Sequence, residues 1–258
     1  MNIIIDGQTL DAKESETILD VARRNGVEIP TLCHHKLLEG VGACRLCVVE
    51  ITHASWKGAT NHVTSCLYPV AEGLEIQTKS PTVIRLRRTV LGLLAARCPE
   101  SDVIRRLADA MGGVEEYARF EDGSKCVMCF RCTRACAVVG ANAIGAVNRG
   151  THKEIATPFH EESETCVGCG ACAAVCPTGA IEMESIRVAM LRKRPATERP
   201  CRYNLMGMMP GALCPNNYDC AICEIDQRFV EACRPHHPMF AARGLLVPKG
   251  WESSGGEE

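Results

Sequence analysis

Apolar positions fall in short runs separated by turn residues, and their period changes along the chain. NIII at 2–5 and QTLDA at 8–12 flank Asp6-Gly7, a dipeptide suited to a two-residue turn, which predicts a hairpin over Asn2–Ala12. Ile18, Leu19, Val21 and Ala22 then supply one apolar face. Thr17 with Asp20 three residues on resembles a capping box, and Asn25-Gly26 is a C-terminal stop, so a short helix is predicted. After Pro30 a cysteine-bearing loop runs to Cys47, followed by VVEIT and by an apolar strand near Leu74–Thr78. Strand, turn, strand, helix is the opening of a β-grasp domain.

Val83, Ile84, Val90, Leu91 and Leu94 recur at helical spacing within Pro81–Arg97, and Asp102–Met111 repeats the pattern before Gly112-Gly113 ends it. Two linking helices are predicted. KCVMCFRCTRAC and TCVGCGACAAVC then align without a gap at a forty-residue offset, an internal repeat. RKRP at 192–195 reads as a solvated linker, and beyond Cys201 the chain is rich in Pro, Gly, Met and Cys with little periodicity.

Composition sharpens this outline. The 258 residues include eighteen cysteines, about 7%, spread over too long a chain for a small disulfide framework. These thiols are expected to bind metal. MNIIIDGQTLDAKE lacks a basic stretch and a long apolar core, so no signal peptide is expected, and a reducing, cytoplasmic setting follows. No apolar run reaches the roughly 20 residues of a membrane span. A net charge of −2 offers no basic surface for nucleic acid. Aromatic residues are only 4%, so the ordinary core is thin and bound cofactors are expected to supply folding energy.

The strongest chemical signal is C-x2-C-x2-C-x3-C, present twice. A tight loop places three thiolates at three corners of a cubane, and the fourth cysteine rides on the following helix to the other cluster. Ligation is therefore crossed. One [4Fe–4S] cluster is assigned to Cys126, Cys129, Cys132 and Cys176, the other to Cys166, Cys169, Cys172 and Cys136. The small residues of VGCGACAAVCPTGA leave room for the cluster and let backbone N–H groups approach its sulfurs. Paired zinc sites are the competing reading, but structural zinc favours two separated C-x2-C pairs.

Cys33, Cys44, Cys47 and Cys66 form a second set, C-x10-C-x2-C-x18-C, on the β-grasp region. The C-x2-C pair with a distant fourth cysteine fits a [2Fe–2S] ferredoxin, although the first interval is longer than the plant type has. With GVGACRLCVVEI around Cys44 and Cys47, residues 1 to 187 resemble the N-terminal iron–sulfur region of the complex I 75 kDa-type subunit. Relatives of that family include the diaphorase small subunit of NAD-reducing hydrogenases, iron-only hydrogenases and NAD-dependent formate dehydrogenases.

The resemblance implies an electron-relay subunit. Its implied partners are a flavin- and NAD(P)-binding subunit of the complex I 51 kDa type, a thioredoxin-like 24 kDa-type subunit, and a terminal redox enzyme or ferredoxin. One departure stands out: the family carries a His-and-three-Cys [4Fe–4S] site in the connecting segment, whereas LLAARCPESDVIRRLADAMGG has only Cys98 and no histidine. That cluster is expected to be absent, with Cys98 a helix-packing thiol.

Cys201, Cys214, Cys220 and Cys223 make a third set, a four-thiolate site for zinc or a further iron–sulfur cluster. His236 and His237, beside Pro235 and Pro238, read as loop residues. Neither a GxGxxG after a strand nor GxxxxGK[ST] is present, so no nucleotide site and no catalytic residue is assigned. The expected fold class is α+β: a β-grasp domain (1–79), a helical linker (80–120), a dicluster domain (121–190) and an irregular metal-binding module (195–258). A zinc-stabilised assembly scaffold and a free-standing polyferredoxin-like carrier are the alternatives.

Overall fold

The computed structural model describes residues 1–119, 124–161, 163–181 and 191–249. The expected boundaries at 120–121 and 190 fall outside these residues. The chain divides into two compact units, Met1–Phe130 with Pro177–Ala180, and Arg131–Cys176 with Ile181–Glu258.

The first unit begins with β1 (Asn2–Ile5) and β2 (Gln8–Asp11), antiparallel, with Ile5 paired to Gln8. Asp6 and Gly7 alone make the turn, and both have the positive φ, 48° and 83°, that a type I′ turn requires. The Asp6 carboxylate accepts from the Thr78 N–H at 2.7 Å and the Thr78 hydroxyl at 2.5 Å. This bond pins the turn to the end of β5 (Leu74–Gln77), which lies parallel to β1. β3 (Val48–His53) runs antiparallel to β5, and β4 (Thr60–Thr64) closes the sheet in the order β2-β1-β5-β3-β4.

Helix α1 (Ile18–Arg24) carries the full capping box of Thr17 and Asp20. It buries Ile18, Leu19, Val21 and Ala22 against Ile3, Ile5, Val49, Ile51 and Ile76 of the sheet. Fifteen residues form this core, which contains Cys47 and Cys66 as well as aliphatic side chains.

Helix α2 (Pro81–Arg97) starts where Ser80 Oγ accepts from the Val83 N–H at 3.3 Å, with Pro81 in the first turn. Its Arg87, 3% exposed, donates to the Val48 carbonyl at 2.7 Å and so anchors the helix to β3. Gly92 allows a close approach: a Cβ there would lie 2.6 Å from the Glu115 carbonyl oxygen and 2.7 Å from the Tyr117 ring. Helix α3 (Asp102–Ala110) follows a Ser101 cap, and the Gly113 N–H bonds back to the Ala108 carbonyl at 3.0 Å.

In the second unit, α4 (Arg131–Val139), a hairpin of β6 (Gly145–Val147) and β7 (Glu154–Ala156), and α5 (Ala171–Ala174) carry the repeat region. The segment after Cys201 is more ordered than its sequence suggests. It folds as α6 (Arg202–Leu205), the ten-residue α7 (Glu224–Cys233) and α8 (Met239–Ala242). The helical signal of α7 is thin because only Ile225, Phe229 and Cys233 repeat at four-residue spacing among charged neighbours. Scarce aromatics are concentrated here: Tyr203 and Phe229 stack with centroids 4.4 Å apart, and Phe240 is fully buried.

Candidate metal centres

None of the eighteen cysteines is in a disulfide. In the first unit the loop before β3 delivers Cys33, Cys44 and Cys47, and the turn after β4 delivers Cys66; all four are buried. Cys47 Sγ lies 3.3 Å from Cys66 Sγ. Further thiol–thiol contacts join Cys33 to Cys44 and to Cys66, so the four make one chain of contacts. Proton sharing splits them by sign. Hydrogen bonds from Cys44 and Cys66 hold Cys33 well below the usual thiol range, and the Cys66 contact lowers Cys47 to about 6. Cys44 and Cys66 are raised in return, first by those same contacts and then by burial. Four soft donors gathered without a disulfide fit a thiolate-ligated cluster.

The repeat places its cysteines in matching loops. Met128 and Phe130 have φ of 51° and 59°, and Gly168 and Gly170, forty residues on, have 64° and 78°. Cys126 and Cys129 belong to the first unit, and Cys132, Cys136, Cys166, Cys169, Cys172 and Cys176 to the second. Within the second unit Cys136 approaches the other loop. Burial, then the charges of Cys169, Cys136 and Cys166, push Cys172 up to about 11. Cys169 is raised by burial, with Cys136 and Cys166 adding to it. Cys136, from the first copy of the repeat, thus shares a neighbourhood with three thiols of the second copy. It also accepts from the Ala143 N–H at 3.2 Å, a backbone-to-sulfur bond of the kind that tunes cluster potentials.

Among the C-terminal cysteines, Pro200 and Leu213 form an isolated antiparallel bridge, with Cys201 N–H donating to the Ala212 carbonyl and Cys214 N–H to the Arg199 carbonyl, both at 2.8 Å. Two-residue alternation about that bridge puts Cys201 and Cys214 on one face of the ribbon. Cys214 Sγ accepts from the Tyr218 N–H at 3.2 Å. Cys220, raised first by burial, also feels Cys214, while Cys223 is tied to Cys220 through the backbone at 3.1 Å. Among the described residues no set of three or more His, Cys, Asp or Glu side chains is drawn in around a single metal ion.

Sequence reasoning missed Arg202. Its guanidinium pairs with Asp226 at 3.2 Å, bonds Cys220, and lies within electrostatic reach of Cys169. Burial opposes its charge, but Tyr203, Asp226 and Cys220 together keep it charged. Its one sequence signal is adjacency to Cys201. His237 sits, as expected, in the loop before α8, where its Nδ1 accepts from the Met239 N–H at 3.2 Å. Burial, reinforced by Arg202, pushes it down to about 4. Cys98, 1% exposed, packs beneath α2 as expected, but its thiol also donates to the Cys126 carbonyl at 3.0 Å. Burial pushes that thiol up to about 12.

Comparison with known proteins matches residues 1–81 to the 2Fe–2S iron–sulfur cluster binding domain and residues 120–183 to the 4Fe–4S dicluster domain. These two matches take in both ferredoxin-type cysteine regions, and the curated proteins similar to the chain are complex I-type and NAD(P)-linked hydrogenase or oxidoreductase subunits. It is 33% identical to the NADP-reducing hydrogenase subunit HndD of Solidesulfovibrio fructosivorans, over 70% of this chain and 36% of that protein. It is 31% identical to an NADH-quinone oxidoreductase subunit of Rhizobium meliloti, over 99% of this chain and 34% of that protein. The second similarity therefore includes the cysteine-rich C-terminal segment. It is 32% identical to NADPH-Fe(3+) oxidoreductase subunit alpha of Geobacter sulfurreducens, over 70% of this chain and 24% of that protein. The chain thus spans between 24% and 36% of the length of these curated relatives. The fold is shared with a chain of a crystal structure of an NAD+-reducing [NiFe]-hydrogenase, at a TM-score of 0.60 and 24% identity, over 77% of this chain and 92% of that one.

Proposed function

We propose that this chain is the electron-relay subunit of a multisubunit NAD(P)-linked oxidoreductase of the hydrogenase, formate dehydrogenase or ferredoxin-coupled kind. One observation carries the reading: thiols gather in two separate groups, the buried Cys33, Cys44, Cys47 and Cys66 in contact in one unit, and the half-buried Cys136, Cys166, Cys169 and Cys172 within electrostatic reach of one another in the other. The first group suits a [2Fe–2S] cluster and the second a [4Fe–4S] cluster; Cys126, Cys129, Cys132 and Cys176 are assigned to the other cubane. Such clusters supply reversible one-electron transfer when bound. The chain's own residues hold the ligands, exclude water and place N–H groups against sulfur, as Ala143 does at Cys136.

Donor and acceptor sites belong to partners in this reading. The names of the relatives, subunits of an NADP-reducing hydrogenase and of NADH- and NADPH-linked oxidoreductases, support partner subunits that handle NAD(P). The flavin site, the thioredoxin-like subunit and the terminal enzyme or ferredoxin are assigned to partners from the sequence resemblance. Cys201, Cys214, Cys220 and Cys223 are assigned a metal, zinc or iron–sulfur, supported by the shared ribbon face of Cys201 and Cys214. The test is to purify the chain alone and together with its co-purifying partners, and to assay dye reduction by NADH, NADPH and hydrogen. Activity in the complex and none in the isolated chain is expected. Turnover by the isolated chain would make it a catalyst and end the relay reading.

A further inference from the structure

We propose that Cys98 is a positioning residue for the cubane that begins at Cys126, its thiol fixing the peptide that follows that ligand. The inference rests on the electron-relay reading. Cys98 ends α2, and its backbone is satisfied on both sides: its N–H donates to the Leu94 carbonyl at 2.8 Å and its carbonyl accepts from the Ser101 N–H at 3.0 Å. The thiol is left to act elsewhere, and Sγ lies 3.0 Å from the Cys126 carbonyl oxygen. A carbonyl only accepts, so the sulfur must carry its proton and serves as donor rather than as a ligand.

The other end of Cys126 is fixed as well, since its N–H donates to Ser124 Oγ at 3.0 Å. Both flanks of the ligand are therefore held by side chains that are not ligands. Cys98 also sits in a single buried cluster with Cys33 and Cys44 of the ferredoxin quartet and with Val127 and Cys129 of the repeat. Its position is thus shared between the two thiol groups of the first unit.

A bond to the Cys126 carbonyl draws electron density from the Cys126–Val127 peptide, which strengthens the Val127 N–H as a donor and pins the carbonyl dipole. Hydrogen bonds and fixed dipoles near the sulfurs stabilise the more negative, reduced cluster and raise its potential. Without that donor, the half-buried carbonyl loses its thiol partner and is free to reorient. Cys98→Ala removes the donor. Cys98→Ser keeps one, yet places a hydroxyl in an apolar cluster, so a residue that only packs should tolerate Ala better than Ser.

The two roles therefore predict opposite orders, readable by redox-titrated EPR of the full chain purified anaerobically. For the positioning role, Cys98→Ala lowers the midpoint potential of one cubane or loses that cubane, and Cys98→Ser stays with the wild type. Equal shifts in both variants, equal loss in both, or wild-type potentials in both overturn it. A wild-type chain with no cubane signal would overturn the relay reading itself, which separates the two failures.

Discussion

Phe130 and Gly170, forty residues apart, hold the same left-handed backbone, with φ of 59° and 78°. Glycine adopts this region freely and phenylalanine does not. The first copy of the repeat thus keeps, with Met128 and Phe130, a backbone that its residue types oppose. Strain of this kind persists where surrounding structure dictates the conformation.

Gly170 has no other protein atom within 4 Å of the position of a Cβ, so within the chain a side chain there meets only the backbone strain of its φ of 78°. Gly170→Ala should cost about 1 kcal/mol, and Gly170→Asn less, because Asn tolerates the left-handed region. Urea unfolding of the cluster-loaded protein reads the difference. Equal stability of both variants with the wild type would show that the loop can adopt another conformation.

Cys136 stands among the thiols of the other copy of the repeat, which makes crossed ligation testable. Cys136→Ala should abolish the cluster held by Cys166, Cys169 and Cys172 and spare the one assigned to its own neighbours. Cys176→Ala should do the reverse. EPR of each variant distinguishes the signals, and loss of the same signal in both would break the assignment.

Gly92 should tolerate no side chain. The Glu115 carbonyl, 2.6 Å from the ideal Cβ, is backbone and yields only by moving the 114–117 segment. Gly92→Ala should destabilise the first unit by about 1–3 kcal/mol through overpacking, despite the better helix propensity of alanine. A thermal melt equal to or above wild type would contradict this.

Asp226 accepts from both Arg202 at 3.2 Å and the Tyr203 hydroxyl at 2.8 Å, with the ion pair 19% and 14% exposed. Asp226→Ala leaves a mostly buried guanidinium and hydroxyl without their partner, at a cost of about 2–3 kcal/mol after allowing for the remaining exposure. Faster proteolysis after Cys201, with the β-grasp region unaffected, is the expected readout. Uniform protection would place Arg202 on another acceptor.

Apart from one edge strand, the first 113 residues are legible because each local signal agrees with the others. Asp6-Gly7, the Thr17/Asp20 box, and Pro81 and Gly112-Gly113 as helix limits all stand in the structure. β4 is not legible: Thr60–Thr64 is an exposed edge strand with only Val63 apolar, so no alternation marks it. Cysteine spacing names the ligand groups, since metal geometry is written in intervals. It cannot show Arg202 beside Cys220 or the Cys98 thiol on the Cys126 carbonyl, because both depend on segments that meet only after folding.

Conduction requires that the thiols hold iron–sulfur clusters. Iron, sulfide and zinc analysis of the anaerobically purified chain, with EPR through a reductive titration, tests this most directly. The expected result is about ten irons per chain in the two ferredoxin-type domains, one [2Fe–2S] signal and two magnetically interacting [4Fe–4S] signals. Zinc in the place of iron, with no signal on reduction, would contradict it and leave an assembly scaffold as the reading.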